Sequence, residues 1–178
     1  MKFIADLHIH SRFSRATSKS LDFEALYMAA RKKGITVVGT GDFTHPGWLE
    51  EIKTKLVPAE NGLFALKPEI AQACDSMVMV ASARPVRFLL ATEISNIYKK
   101  NGRVRKVHHL VFFPAIEAVE KFNATLVALL VLSSIRYSLA ASPLRPPLNF
   151  FISAVDAGTN LIGSRLFVNS MMPFCPLA

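Results

Sequence analysis

Two histidines one residue apart, His8 and His10, follow the apolar run KFIADL near the start of the chain. In a strand, residues i and i+2 project from one face. The two imidazoles then stand one pleat apart at the strand's C-terminal end, where they can ligate one metal ion or bridge two. Asp42, Glu93 and His109 extend the set. Imidazole and carboxylate without thiolate suit zinc, manganese or iron, and allow a carboxylate to bridge two ions. Such ions can bind a phosphodiester, activate a water and stabilise the leaving oxygen. Each residue alone has a plainer role. Asp42 can cap a turn, Glu93 can end a strand in solvent, and His108 or His109 can be a satisfied core histidine. Their joint placement at or near successive strand ends points to metal.

The elements that must position them follow from periodicity and punctuation. Residues 2–9 read as a first strand. Ser20 is a candidate N-cap, Asp22 and Glu24 fall in the first helical turn, and Arg31, Lys32 and Lys33 precede a closing Gly34, the charge order a helix dipole favours. Residues 35–40 read as a short buried strand ending at Gly41-Asp42. Pro46 opens a second helix, in which Leu49, Ile52 and Leu56 recur at helical spacing. Residues 57–70 read as a loop, and 69–81 are ambiguous. Residues 86–94 form a third strand, and 98–106 a hairpin-like turn at Asn101-Gly102 with basic flanks. Residues 107–113 form a fourth strand, followed by a helix from Pro114 to about Phe122. His108 and His109 point to opposite faces of that strand, so only one can reach a shared site. Strands alternating with helices, with polar residues at strand ends, indicate an α/β fold.

The chain has 178 residues and a net charge of +8, from 21 basic and 13 acidic residues. That excess suits a polyanionic partner such as nucleic acid. Lys99, Lys100, Arg103, Arg105 and Lys106 cluster in the turn between two ligand-bearing strands and are the candidate DNA contacts. Cys74 and Cys175 stand far apart, which argues against a disulfide framework and against a zinc finger in this chain. No charged segment precedes an apolar core at the N-terminus, so no secretory signal is expected and the expected compartment is the cytoplasm.

The stretches DLHIHS, GTGDFTHP, TEIS and KVHHL resemble the ordered metal-binding motifs of the PHP (polymerase and histidinol phosphatase) superfamily. DLHIHSRFSRATS, VVGTGDFTHPGWLEEIK, TEISNIYKKNGRVRKVHHLVFFP and AIEAVEKFN are more similar still to the N-terminal part of endonuclease Q. The resemblance covers residues 1–123. It implies the first four or so units of a PHP-type (β/α)7 barrel, with divalent ions that are zinc first, manganese or magnesium second. It implies a metal-dependent endonuclease that nicks DNA on the 5′ side of a deaminated base or an abasic site. No membrane and no obligate protein partner are implied. Carried over residue by residue, His8 and His10 match the first motif, Asp42 the second, Glu93 the third and His109 the histidine after it. His108 beside it and His45 in the second motif are further candidates. No protein side chain is implied as the catalytic base.

Residues 124–178 do not match. Twelve of the 13 acidic residues lie at or before Glu120, and beyond Lys121 there is no lysine and no histidine. The superfamily's later histidine and final Asp-x-His motif therefore have no counterpart. The expected arrangement is an N-terminal hydrolase portion over 1–123 and an atypical apolar tail over 124–178, irregular or helical, from a shifted reading frame or an unrelated source. Arg136 and two serines interrupt its apolar run, so no membrane span is expected. Two alternatives to the endonuclease follow: a non-catalytic remnant, and a phosphoesterase acting on a small phosphomonoester, which the long basic turn disfavours.

Overall fold

The computed structural model describes residues 2–15, 17–79, 84–140 and 164–168, and side chains as far as Leu129. Seven strands and four helices are found among them. In chain order these are β1 (Ala5–Asp6), α1 (Phe23–Lys33), β2 (Val37–Gly39), α2 (Pro46–Lys55), β3 (Leu56–Pro58), β4 (Phe64–Leu66), α3 (Pro68–Ser76), β5 (Arg87–Lys100), β6 (Arg103–Phe113), α4 (Ile116–Ala140) and β7 (Ser164–Val168). The sheet runs β1-β2-β5-β4-β3, with β6 and β7 also paired to β5. The proline-rich stretch 143–147 and the last ten residues lie outside the described residues.

Three strands, β1, β2 and β5, are parallel. Their C-terminal ends point one way, the side on which α/β folds build sites. The fourth strand differs from the sequence expectation. β6 is antiparallel to β5 along its whole length and is not a fourth parallel unit. The cause is the connection. Asn101 and Gly102 both take positive φ, 54° and 72°, as a two-residue hairpin turn requires. A parallel return needs a crossover of a dozen residues or more. The described strands thus form an open sheet.

Other differences are local. β1 is only two residues long, although Ile4 O still accepts from Thr36 N at 2.9 Å. Asp22, not Ser20, caps α1, accepting from Ala25 N at 2.9 Å, while Gly34 closes the helix with φ 72°. The expected loop over 57–70 contains the β3–β4 hairpin, turning through Gly62 with φ 78°. The last helix extends well past Phe122, to Ala140.

The core lies between the sheet and α1, α2 and the start of α4. Phe23, Trp48, Ile52, Phe88, Leu90 and Val119 are fully buried. Phe23 stacks on Trp48 with ring centroids 4.3 Å apart and meets Phe88 edge-on at 5.3 Å. Trp48 Nε1 donates to Thr40 O at 3.0 Å. Thr40 also locks β2 to β5: its hydroxyl accepts from Ala91 N at 2.9 Å and its own N–H donates to Leu89 O at 2.8 Å. The core therefore fixes the two strand ends that carry Asp42 and Glu93.

Two glycines let the segment after β1 lie against the end of β2. A Cβ on Gly39 would stand 2.7 Å from Leu7 O, and one on Gly41 2.4 Å from Ile9 O. Gly41 also has φ 64°, and Asp42 follows with φ 43°. Gly41→Ala is expected to cost about 1–3 kcal/mol, from the strained backbone and the clash together. Chemical denaturation checks it, and an unchanged midpoint would contradict the close approach.

Candidate metal centre

His8 and His10 follow β1, Asp42 follows β2, and Glu93 lies in β5 beyond its pairing with β2. The parallel strands thereby bring residues from three distant parts of the chain together. His8 Nε2 is 2.6 Å from Glu93 Oε2, and His10 Nε2 is 3.6 Å from the same oxygen. The two imidazoles meet edge to face, with centroids 5.4 Å apart. Each of His8, His10 and Glu93 offers a ligand atom within 4.8 Å of the others. Glu93 is 5% exposed, whereas the His8 side chain is 51% exposed, so the cluster has a buried floor and an open mouth.

Asp42 stands behind His10. Its Oδ1 lies 3.1 Å from His10 Nδ1, while Oδ2 accepts from both the backbone N–H and the hydroxyl of Ser11, at 2.6 and 2.8 Å. A carboxylate held on one oxygen and facing imidazole with the other fixes the ring's tautomer and orientation. His10 then presents Nε2 to the cluster.

His108, rather than His109, reaches Glu93: its Nδ1 bonds Glu93 Oε1. The strand register explains this. Glu93 pairs with Leu110, Ile94 with His109 and Ser95 with His108. Cross-strand partners share a face and alternate residues share a face. Glu93, Ser95, His108 and Leu110 are therefore on one side, with Ile94 and His109 on the other. The two Glu93 oxygens face different imidazole groups, His8 and His10 on one and His108 on the other. That is the arrangement of a carboxylate able to bridge.

The donor set fits a metal ion. Nitrogen and oxygen ligands of a tetrahedral ion at about 2.0–2.2 Å stand roughly 3.3–3.6 Å apart. His10 Nε2 and Glu93 Oε2 have that spacing, 3.6 Å. His8 Nε2, 2.6 Å from the same oxygen, is hydrogen-bonded to it and has to move apart to admit an ion. Ser95 Oγ, 2% exposed and on the same face, has no hydrogen-bond partner among the described residues. Burial alone would raise the Glu93 carboxyl. Hydrogen bonds from His108 and His8, and the charges of His108 and His10, outweigh it and hold the pKa below the usual value. Glu93 is thus kept ionised, as a ligand must be.

His45 occupies the N-cap of α2 without making a side-chain cap bond. Its ring stacks on Phe13 at 4.2 Å, and its buried Nδ1 has no partner among the described residues. Burial lowers its pKa from the ordinary 6.5, with Asp42 acting in the opposite direction. The fold therefore favours neutral His45. Its contribution to stability is complete above the unfolded value and is lost as pH falls through 6.5 towards the lower folded value. Between pH 7.5 and 5.5, His45→Gln is expected to lose less urea resistance than the unmodified chain. Equal losses would contradict a buried neutral imidazole.

The basic residues lie where β5 turns into β6, outward from Glu93. Lys99, Lys100, Arg103, Arg105 and Lys106 are all exposed. Among the described residues no helix is long and apolar enough to cross a membrane.

No family model matches the chain. An uncharacterised protein of Methanocaldococcus jannaschii is 35% identical over 121 residues, which make up 68% of this chain and 11% of that protein. Endonuclease Q in complex with a 27-mer duplex bearing an abasic lesion is 31% identical, with a TM-score of 0.48, over 68% of this chain and 25% of that one. The lesion-specific endonuclease PfuEndoQ from Pyrococcus furiosus is 30% identical, with a TM-score of 0.52, over 72% of this chain and 26% of that one. The chain thus spans about a tenth of the curated relative and a quarter of the solved enzyme. In fold and in local sequence it is similar to part of a lesion-specific endonuclease.

Proposed function

We propose that this chain is the N-terminal part of a metal-dependent DNA endonuclease of the endonuclease Q type, nicking on the 5′ side of deaminated bases or abasic sites. The observation that carries the reading is the convergence of His8, His10 and Glu93 at the ends of parallel strands, in a fold similar to that of a lesion-specific endonuclease. Residues 1–123 supply the hydrolase portion and the first units of a (β/α)7 barrel, and 124–178 are of separate origin.

His8 Nε2, His10 Nε2 and Glu93 are the metal ligands, and His108 joins them through the second Glu93 oxygen. Asp42 acts on His10, holding Nδ1, and Ser11 holds Asp42. His109, on the far face of β6, takes no part. Zinc suits this donor set best, with manganese or magnesium as alternatives. A divalent ion, when bound, supplies Lewis-acid polarisation of the phosphodiester and lowers the pKa of water. The chain's own residues fix the geometry, and the exposed side of His8 leaves room for a strand to approach.

A second reading is favoured by the absence of any histidine after His109. It is a remnant that binds metal and DNA without turnover. One assay separates the two. Duplex DNA carrying a single uracil, hypoxanthine or abasic site is incubated with the chain and Zn²⁺, Mn²⁺ or Mg²⁺, beside the His8→Ala/His10→Ala variant. Nicking by the unmodified chain alone supports the endonuclease. No nicking by either supports the remnant, and equal nicking contradicts the site. The nucleotide sequence after codon 123, read in the other two frames, tests the separate origin of the tail. A restored histidine and an Asp-x-His motif there are expected.

A further inference from the structure

The five basic residues of the hairpin do not form one patch. Arg103 pairs with Lys100, Val104 with Lys99, Arg105 with Tyr98, and Lys106 with Ile97. Cross-strand partners share a face, and the face alternates with each step. Followed outward from Glu93 and His108, their face carries Ser95, then Lys106 and Ile97, then Lys99 and Val104. Lys100, Arg103 and Arg105 stand on the reverse face, with Tyr98 and His109.

We propose that the face continuous with Glu93 and His108 is a phosphate track, in which Lys106 and Lys99 hold the backbone of one DNA strand as it leaves the metal centre. The inference rests on the nucleic-acid part of the function proposed above and adds the path and the two residues that define it. One pleat repeat separates His108 from Lys106, and another separates Lys106 from the level of Lys99, about 6.8 Å each. Each repeat is close to the distance between neighbouring phosphates along one strand of B-form DNA, so successive lysines on this face can meet successive phosphates. The track therefore spans about two nucleotides from the cluster.

Charge and exposure agree with this use. Lys99 and Lys106 are exposed and make no hydrogen bond or ion pair among the described residues. Between Arg87 and Phe113 the only acidic residue is Glu93, so positive charge increases outward along the face with no carboxylate to repel a phosphate. Of the hairpin's own five cations three stand on the reverse face and two on this one, yet the reverse face turns away from the cluster.

The test measures DNA binding, independently of cleavage. Fluorescence anisotropy with a labelled duplex carrying one abasic site, at salt from 50 to 300 mM without added metal, gives the slope of log affinity against log salt. Lys99→Ala/Lys106→Ala is expected to reduce that slope by about 1.8, since each duplex phosphate contact contributes about 0.9. Lys100→Ala/Arg103→Ala/Arg105→Ala, with more charge removed, is expected to reduce it less. A reduction by the triple variant equal to or greater than that of the pair overturns the track. So does an unchanged slope in the pair, or no binding by the unmodified chain. Circular dichroism confirms that each variant is folded, and Lys99→Gln/Lys106→Gln repeats the test with longer side chains kept. Binding with the expected slopes but no nicking would retain the track and remove the nuclease.

Discussion

Glu93→Gln is expected to leave the chain folded and to lower its zinc affinity at least about a hundredfold, more than the 10–100-fold typical for a residue that merely supports a ligand. Glutamine preserves shape and burial but removes the negative charge that three imidazoles surround. His8 Nε2 stands 2.6 Å from this carboxylate, and His10 and His108 face it as well. Without the anion, a bound cation loses the buried counter-charge it would touch directly. Competition against a zinc chelator measures the change. Asp42→Asn makes a useful companion, because Asp42 touches His10 and Ser11 rather than the cluster's centre. Its expected loss is smaller, about 10–100-fold. Equal and small losses in both would mean that Glu93 is a structural partner of the histidines.

Trp48→Ala is expected to destabilise the fold by about 3–5 kcal/mol, a large share of the 5–15 kcal/mol that holds a typical domain together. The indole is fully buried, stacks on Phe23 and donates to Thr40 O. Its loss removes apolar contact, leaves a cavity and orphans the carbonyl just before the Gly41-Asp42 turn. The variant should therefore lose the ordered position of Asp42 as well as stability. Urea denaturation measures the loss of stability. A loss below about 1 kcal/mol would show that α2 is not packed on the sheet as described.

Much of the site could be read along the chain, and the part that could not has an identifiable cause. His8, His10 and Glu93 stand out because donor residues follow apolar strand-like runs, and the structure brings those three together. Asp42 also stands out, but its role depends on Ser11, whose two hydrogen bonds cross 31 positions of sequence and leave no local trace. The choice between His108 and His109 was open to counting. A two-residue turn at Asn101-Gly102 pairs Lys100 with Arg103, and stepping back puts Ser95 opposite His108 and Glu93 opposite Leu110. The same count excludes a parallel fourth strand, since the hairpin signal and a fourth β/α unit are incompatible. The β3–β4 hairpin was obscured because its strands are three residues long and Pro58 and Pro68 read as breakers. Tail periodicity is weak in the sequence, and α4 nevertheless continues to Ala140.

The most direct measurement is anomalous scattering at the zinc edge from crystals of the chain grown with Zn²⁺. The expected result is a peak about 2.0–2.2 Å from His8 Nε2, His10 Nε2 and a Glu93 oxygen. A second peak between Glu93 and His108 would add a bridged ion to the same centre. Zinc found only at other residues, with His8 still bonded directly to Glu93, would contradict the metal centre.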